Sequence, residues 1–232
     1  MKKLFVVLLL IASAPAFAYK AGDKRLSLFG GAGIAIASMS CVSGADYGNF
    51  LGSCGYSGMD EKSFNDWEDG DAYAYSFGIG LDWFLGNSIA LYVGLSYDKT
   101  PVDIKFPRRV ADSDHTYKFD LSYRTAAAGV HYYGKFLVAG IGGYYDDLLK
   151  GKLIFDGGSG KQEIPGVKFS DDVGVFVDLG LHFGLSEKFD LAFLLRTKFG
   201  SKTIYDYPDD DVITNMSDLA SAFFSVSLGY TL

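Results

Sequence analysis

The sequence predicts an all-β protein, an eight-stranded antiparallel transmembrane β-barrel, and three observations carry that expectation. The first is the end of the chain, Ala222-Phe-Phe-Ser-Val-Ser-Leu-Gly-Tyr-Thr-Leu232, where two faces alternate to the last residue. Ala222, Phe224, Val226, Leu228, Tyr230 and Leu232 share one face; Phe223, Ser225, Ser227, Gly229 and Thr231 share the other. Termini fray in water, whereas a barrel in lipid needs an ordered last strand to pair with its first and leave no open edge. The second is an export signal: basic Met1-Lys2-Lys3, an apolar run from Leu4 to Ala12, and the small-x-small triplet Ala16-Phe17-Ala18. Cleavage is expected after Ala18, since the run is shorter than the ~20 residues a helical span needs. The third is composition, with 29 Gly, 16 Tyr and 19 Phe against 5 Pro, the mixture of short alternating strands and tight turns.

Eight alternating segments follow in order. The first is Arg25 to Ala37, with Leu26, Leu28, Ala32, Ile34 and Ile36 on one face. The second, Ala72 to Leu85, sets Tyr73, Tyr75, Phe77, Ile79, Leu81 and Trp83 against Ala74, Ser76, Gly78, Gly80 and Asp82. The third, Ile89 to Asp98, sets Leu91, Val93, Leu95 and Tyr97 against Tyr92, Gly94, Ser96 and Asp98. The fourth, Thr116 to Tyr133, is expected to turn Tyr117, Phe119, Leu121 and Tyr123 outward and Lys118, Asp120, Ser122 and Arg124 inward. The fifth, Phe136 to Tyr145, is Gly-rich and ambiguous in phase. In the sixth, Asp172 to Phe183, a Val/Leu face opposes Gly174, Phe176, Asp178, Gly180 and His182. The seventh, Phe189 to Phe199, opposes Leu191, Phe193 and Leu195 to Asp190, Ala192, Arg196 and Lys198. The C-terminal segment is the eighth. Each is long enough to cross a bilayer at a tilt, which takes ~9–11 residues.

The connections alternate in length. Gly86–Ser88, Gly134–Lys135 and Gly184–Lys188 are short, while 38–71, 99–115, 146–171 and 200–219 are long. That is the pattern of short periplasmic turns and long extracellular loops. Outward aliphatic and aromatic faces would meet water in a soluble sandwich. The charged set Asp82, Asp120, Arg124, Asp178, His182, Asp190, Arg196 and Lys198 is therefore assigned to the lumen, because Arg or Lys at the bilayer midplane costs ~2–4 kcal/mol. Asp178 and Arg196 are the best single pair, and inward Phe29, Tyr92, Phe176, Leu194 and Phe223 are expected to narrow the interior. Tyr73, Tyr75, Tyr97 and Phe199 near the loops, with Trp83, Phe183, Phe189 and Tyr230 near the turns, suit two aromatic girdles.

On these residues the chain resembles the small eight-stranded outer-membrane barrels of the OmpA-transmembrane-domain, OmpX and OmpW type. Its end resembles their C-terminal targeting signal, with Leu232 where Phe is usual. The resemblance implies residence in the bacterial outer membrane, with lipid as the surrounding partner, and an OmpW-like apolar pocket as one alternative for the interior. It does not fix activity, because such barrels serve many functions.

Chemical motifs are sparse. A formal charge of −7, or −9 without Lys2 and Lys3, excludes nucleic acid as the expected partner. Cys41 and Cys54 read as one disulfide in an exported chain, closing a ~13-residue loop, and two thiols with no nearby His make no zinc site. Asp112-Ser-Asp-His115 lacks a recognisable hydrolase motif. His131 is expected on the outer face near a short turn. Asp66–Asp71 and Asp209–Asp211 do not match the EF-hand spacing, and Gly157–Lys161 reads as a hairpin tip rather than a phosphate loop. No cofactor or metal is expected, nor catalysis. The expected function is a monomeric structural or surface-interaction role, with extracellular or envelope protein partners met through loop aromatics Tyr47, Phe50, Tyr56, Phe64, Trp67, Tyr205 and Tyr207. The alternatives are a narrow channel or hydrophobic-ligand conduit and, third, a lipid A-modifying enzyme.

Overall fold

The computed structural model describes residues 19–37, 40–41, 68–70, 72–106, 115–156, 161–164, 168–169, 171–205 and 213–232. Eight long strands form the wall: Lys24–Ala37, Ala72–Phe84, Ile89–Lys99, His115–Tyr133, Leu137–Asp156, Asp172–Gly184, Phe189–Tyr205 and Ile213–Thr231. They are numbered one to eight below. Each pairs antiparallel with its successor. Strand one closes the ring on strand eight, from Arg25↔Thr231 to Ala37↔Leu219. The expected closure and the outward direction of Leu26 and Leu228 are both observed, each residue being exposed.

Strand two shows why the wall needs lipid. Tyr73, Phe77, Ile79 and Trp83 are exposed, whereas Ala74, Ser76 and Asp82 between them are buried. Tyr73 and Trp83 lie ten residues apart, ~34 Å along a strand. At the usual barrel tilt that spans about 25 Å, the height of the lipid-facing band. The exposed aliphatic and aromatic residues on strands one to three and five to eight continue this band around the ring. A face of that extent in water would be an aggregation surface.

Strands five, seven and eight run longer than expected, to Asp156, to Tyr205 and from Ile213. Short pieces extend the sheet at the long-loop end. Val102–Phe106 pairs with strand four, and Glu68–Gly70 pairs with Val102–Phe106. Lys161–Ile164 folds back on strand five with Asp156 opposite Lys161, a hairpin whose tip falls outside the described residues. Ser40–Cys41 lies against strand eight and Lys168–Phe169 against strand seven.

Strand four corrects one expected phase. Phe119, Leu121 and Tyr123 are buried and face inward, together with Thr125, His131 and Tyr133. Arg124 is exposed and faces outward, with Ala126, Ala128, Val130 and Tyr132 on the same side. The strand keeps one phase throughout, and the bulge beside it lies across Ser122/Tyr123 in the pairing with strand five. What changes is the medium. Below Arg124 the outer face meets lipid and is apolar; above it the wall stands in water, so polar residues turn out and apolar ones turn in. The pattern Phe119-Leu121-Tyr123 thus belongs to a soluble-type extension of the barrel.

Candidate functional site

The lumen is filled in three tiers, counted from the short-turn end. The lowest is aromatic. Tyr19 stacks on Phe84 at 3.9 Å and meets the edge of Tyr133 at 5.2 Å, in a buried cluster with Ala90 and Val138. His182 Nε2 donates to the Gly134 carbonyl at 2.8 Å, anchoring the tier to a short turn. Burial holds the Tyr19 phenol far above its ordinary range, so it stays protonated and donates to Asp190 Oδ2 at 3.2 Å.

The middle tier is a chain of ions across the barrel. Arg25 Nε and Nη2 donate to Asp190, the latter to Oδ1 at 2.6 Å, and Nη1 reaches Asp82 at 3.2 Å. Tyr133 OH donates to the same Asp82 at 2.9 Å. His131 bridges Asp82 (Nδ1, 2.7 Å) and Asp178 (Nε2, 3.1 Å). Arg196 closes the chain with bonds of 2.8 and 2.6 Å to the two oxygens of Asp178. Rings line Arg196: Phe176 at 4.5 Å, Tyr92 at 5.1 Å and Phe29 at 5.8 Å. A neutral imidazole can donate from one nitrogen only. With carboxylates at both nitrogens, the tier must carry a second proton on His131 or on one of its two partners. Glycine makes room for the arrangement, since a Cβ at Gly140 would fall on the His131 ring and one at Gly229 on Asp190 and Arg25.

The upper tier centres on Lys198. Its Nζ donates to Asp98 at 2.9 Å, to Asp146 at 2.7 Å and to Thr125 at 3.2 Å, and it lies 4.2 Å from the Tyr144 ring centroid. Ser76 donates to Asp98 at 2.6 Å, and Tyr144 to Asp172 at 2.9 Å. Between the middle and upper tiers lies a cavity of about 30 Å³, bounded by Phe29, Tyr92, Phe176, Leu194 and Phe223, with Ser27, Ser76, Ser96, Ser225 and Ser227 among its polar lining. It has room for about two waters. Asp82, Asp178, His182 and Asp190 are at most 1 % exposed.

Of the residues assigned to the lumen from sequence, Asp82, Asp178, His182, Asp190, Arg196 and Lys198 lie there. Asp178 and Arg196 are direct cross-strand partners. Asp120 and Arg124 are corrected to the outside: Asp120 pairs with Lys99 at 3.0 Å and Lys150 at 3.6 Å, and Arg124 with Asp147. Both belong to the stretch of strand four where water replaces lipid. His131 is corrected from the outer face to the lumen, 2 % exposed, by the same phase. Arg25 and Asp146 were not legible as site residues, although Arg25 alternates with Ser27 opposite Leu26 and Leu28, which was the available signal. Cys41 lies opposite Thr214 on strand eight, while Cys54 falls outside the described residues. So do Tyr47, Phe50, Tyr56, Phe64, Trp67 and Tyr207, the Tyr205 side chain, and Asp112, Ser113 and Asp114. Among the described residues no group of His, Cys, Asp and Glu is arranged to hold a metal ion.

Such a ring, apolar outside and ionic within, is the fold of the small eight-stranded outer-membrane barrels. No family model and no curated protein sequence matches the chain. In fold it is similar to the crystal structure of the outer membrane protein OprG from Pseudomonas aeruginosa, with 11 % identity over 92 % of this chain and 97 % of that one and a TM-score of 0.52. It is also similar to the solid-state NMR structure of the outer membrane protein AlkL in DMPC bilayers, with 14 % identity over 92 % of each chain and a TM-score of 0.53.

Proposed function

We propose that this is an exported outer-membrane protein, cleaved after Ala18, whose barrel is a closed anchor for extracellular recognition loops and which neither conducts nor catalyses. The middle tier carries this reading. Arg25, Asp190, Asp82, His131, Asp178 and Arg196 form a dry, continuous network across the lumen, and Tyr19 stands below it. Opening a path would strip several buried ions of their partners, and each such break is expensive. What the barrel does not need for closure lies in its long connections, and aromatic side chains ringed by polar ones are typical recognition anchors. Planar-bilayer recording on the purified protein tests the closed lumen. Silence or rare small currents is the expected result, and large stable single-channel currents would overturn it.

A second reading, a conduit for a small hydrophobic ligand, draws on one observation. Above the Lys198 tier the interior becomes apolar, with Phe119, Leu121 and Tyr123 buried there and Phe169 packed edge-on to Phe119 at 6.1 Å. Saturable quenching of barrel fluorescence by a brominated fatty acid, lost in Leu121→Asp, would favour it over the anchor.

A further inference from the structure

The outer face of strands three to five changes character along one row. Going up strand four, Tyr132, Val130, Ala128 and Ala126 give way to Arg124. Tyr97 of strand three and Asp147 of strand five stand beside Arg124 in register. Above that row the same face carries Lys99, Asp120, Lys150, Lys152 and Lys118. With Lys161 on the adjoining hairpin, six cations thus meet Asp120, Asp147, Asp171 and Glu163, an excess of positive charge on a chain whose formal charge is −7. Among the described side chains no other outer face carries cations at this end. Lys20, Lys24, Lys135 and Lys188 belong to the short-turn end.

Beneath the cations the wall is shallow. Ala128 and Gly143 are register partners, flanked by Val93 on one side and Val175 on the other. A Cβ on Gly143 would meet little. This makes a shallow trough along strand four, bounded by Leu95 and Tyr145 on either side of Ala126 just below Arg124, suited to acyl chains whose headgroup then falls among the cations.

We propose that this face binds the phosphate groups of a phosphorylated lipid of the outer leaflet, with its acyl chains along the Ala128–Gly143 trough. The proposal rests on the outer-membrane reading above. Arg124 and Lys150 are well exposed, 68 % and 51 % by side chain. Exposed ion pairs are weak, so a phosphate, a stronger acceptor for guanidinium and ammonium, can take these donors from their carboxylates.

The test is native mass spectrometry of the full protein in detergent, titrated with bis-phosphorylated lipid A, with lipid A lacking both phosphates, and with inorganic phosphate. Retention of one or two copies of the phosphorylated lipid over the dephosphorylated one is expected. R124A/K150A/K152A should weaken that retention by about ten-fold or more. The charge-keeping R124K/K150R/K152R and the short-turn control K135A/K188A should retain it. Equal retention of the two lipids, or undiminished binding by the triple alanine variant, would overturn the site. Displacement of the lipid by inorganic phosphate at equal concentration would overturn the lipid as its occupant. Protease protection in vesicles separates the two levels. An inserted barrel without phosphate preference overturns this site alone, whereas failure to insert overturns the outer-membrane reading with it.

Discussion

Asp178 stands directly opposite Arg196 on the neighbouring strand and accepts two hydrogen bonds from its guanidinium, at 2.8 and 2.6 Å. The other face of the same carboxylate meets His131, so the pair is the end of a longer chain and not an isolated bridge. Truncating Arg196 leaves a buried carboxylate with half its compensation. Arg196→Ala should therefore lower unfolding stability by ~3–5 kcal/mol, measured by urea titration in lipid vesicles, and should leave bilayer recordings silent. The double variant with Asp178→Ala should cost less than the sum of the singles, with a coupling of ~0.5–3 kcal/mol.

Two glycines on one strand separate close packing in the lumen from ordinary wall chemistry. Gly140 faces inward beneath the His131 ring, and Gly143 faces outward with only the Gly174 carbonyl, 3.6 Å away, near an added Cβ. Gly140→Ala should cost ~1–3 kcal/mol through displacement of His131. Gly143→Ala should stay within ~0.5 kcal/mol. Equal effects at the two positions, read by the same titration, would mean that His131 is not held as tightly as its two carboxylate contacts indicate.

Tyr19 seals the short-turn end, 2 % exposed and stacked on Phe84. Intact mass and N-terminal sequencing of the exported protein should give Tyr19 as the first residue. Tyr19→Ala should destabilise the barrel by ~3 kcal/mol, as large-to-small changes at buried aromatics do. It should still not conduct, because the ionic tier above is untouched.

The fold is legible because lipid imposes a period of two, which strands two and three follow throughout and strand six follows up to His182; Phe183, expected in the turn-side girdle, is instead buried against Phe136 and Phe193. The lumen was legible where a charge interrupts an otherwise small inner face, as at Asp82, Asp178 and Arg196. Strand four departs from the expected phase for a physical reason. Its two halves alternate in opposite senses, with Phe119, Leu121 and Tyr123 on odd positions and Ala126, Ala128, Val130 and Tyr132 on even ones. A period alone does not say which medium lies outside. The louder aromatic half set the phase, and it carried Asp120 and Arg124 inward and His131 outward. Arg25 is ambiguous in sequence because a basic residue at a strand start also suits a turn, and its partners Asp190 and Asp82, 165 and 57 residues away, distinguish the two.

Cys41 borders strand eight at the long-loop end. The expected bridge to Cys54 should appear as a two-dalton deficit in intact mass and as resistance to maleimide without reductant. Cys41→Ser should then cost up to ~3 kcal/mol, the chain-entropy value for a loop of that size. Labelling of both thiols in the oxidised protein would contradict the bridge.

The loops and the wall should separate by deletion. Closure rests on eight antiparallel ladders and on side chains that meet inside the ring, so trimming the long connections removes little of what holds the barrel in lipid. A variant with all four shortened to tight turns should still insert and keep the slower unfolding of a closed barrel, read by heat-modifiable electrophoretic mobility. The soluble-type extension sets where the cuts belong. Phe119, Leu121 and Tyr123 pack inside it, so cuts below this level would expose apolar surface and cause aggregation unrelated to recognition. Cuts that spare strands four and five up to Asp156 avoid that. Binding of an extracellular or envelope partner should then disappear with loops one and four, which carry Tyr47, Phe50, Tyr56, Phe64, Trp67, Tyr205 and Tyr207, while membrane insertion is unchanged. A trimmed barrel that kept every phenotype of the intact protein would move the activity from the loops to the wall or the lumen.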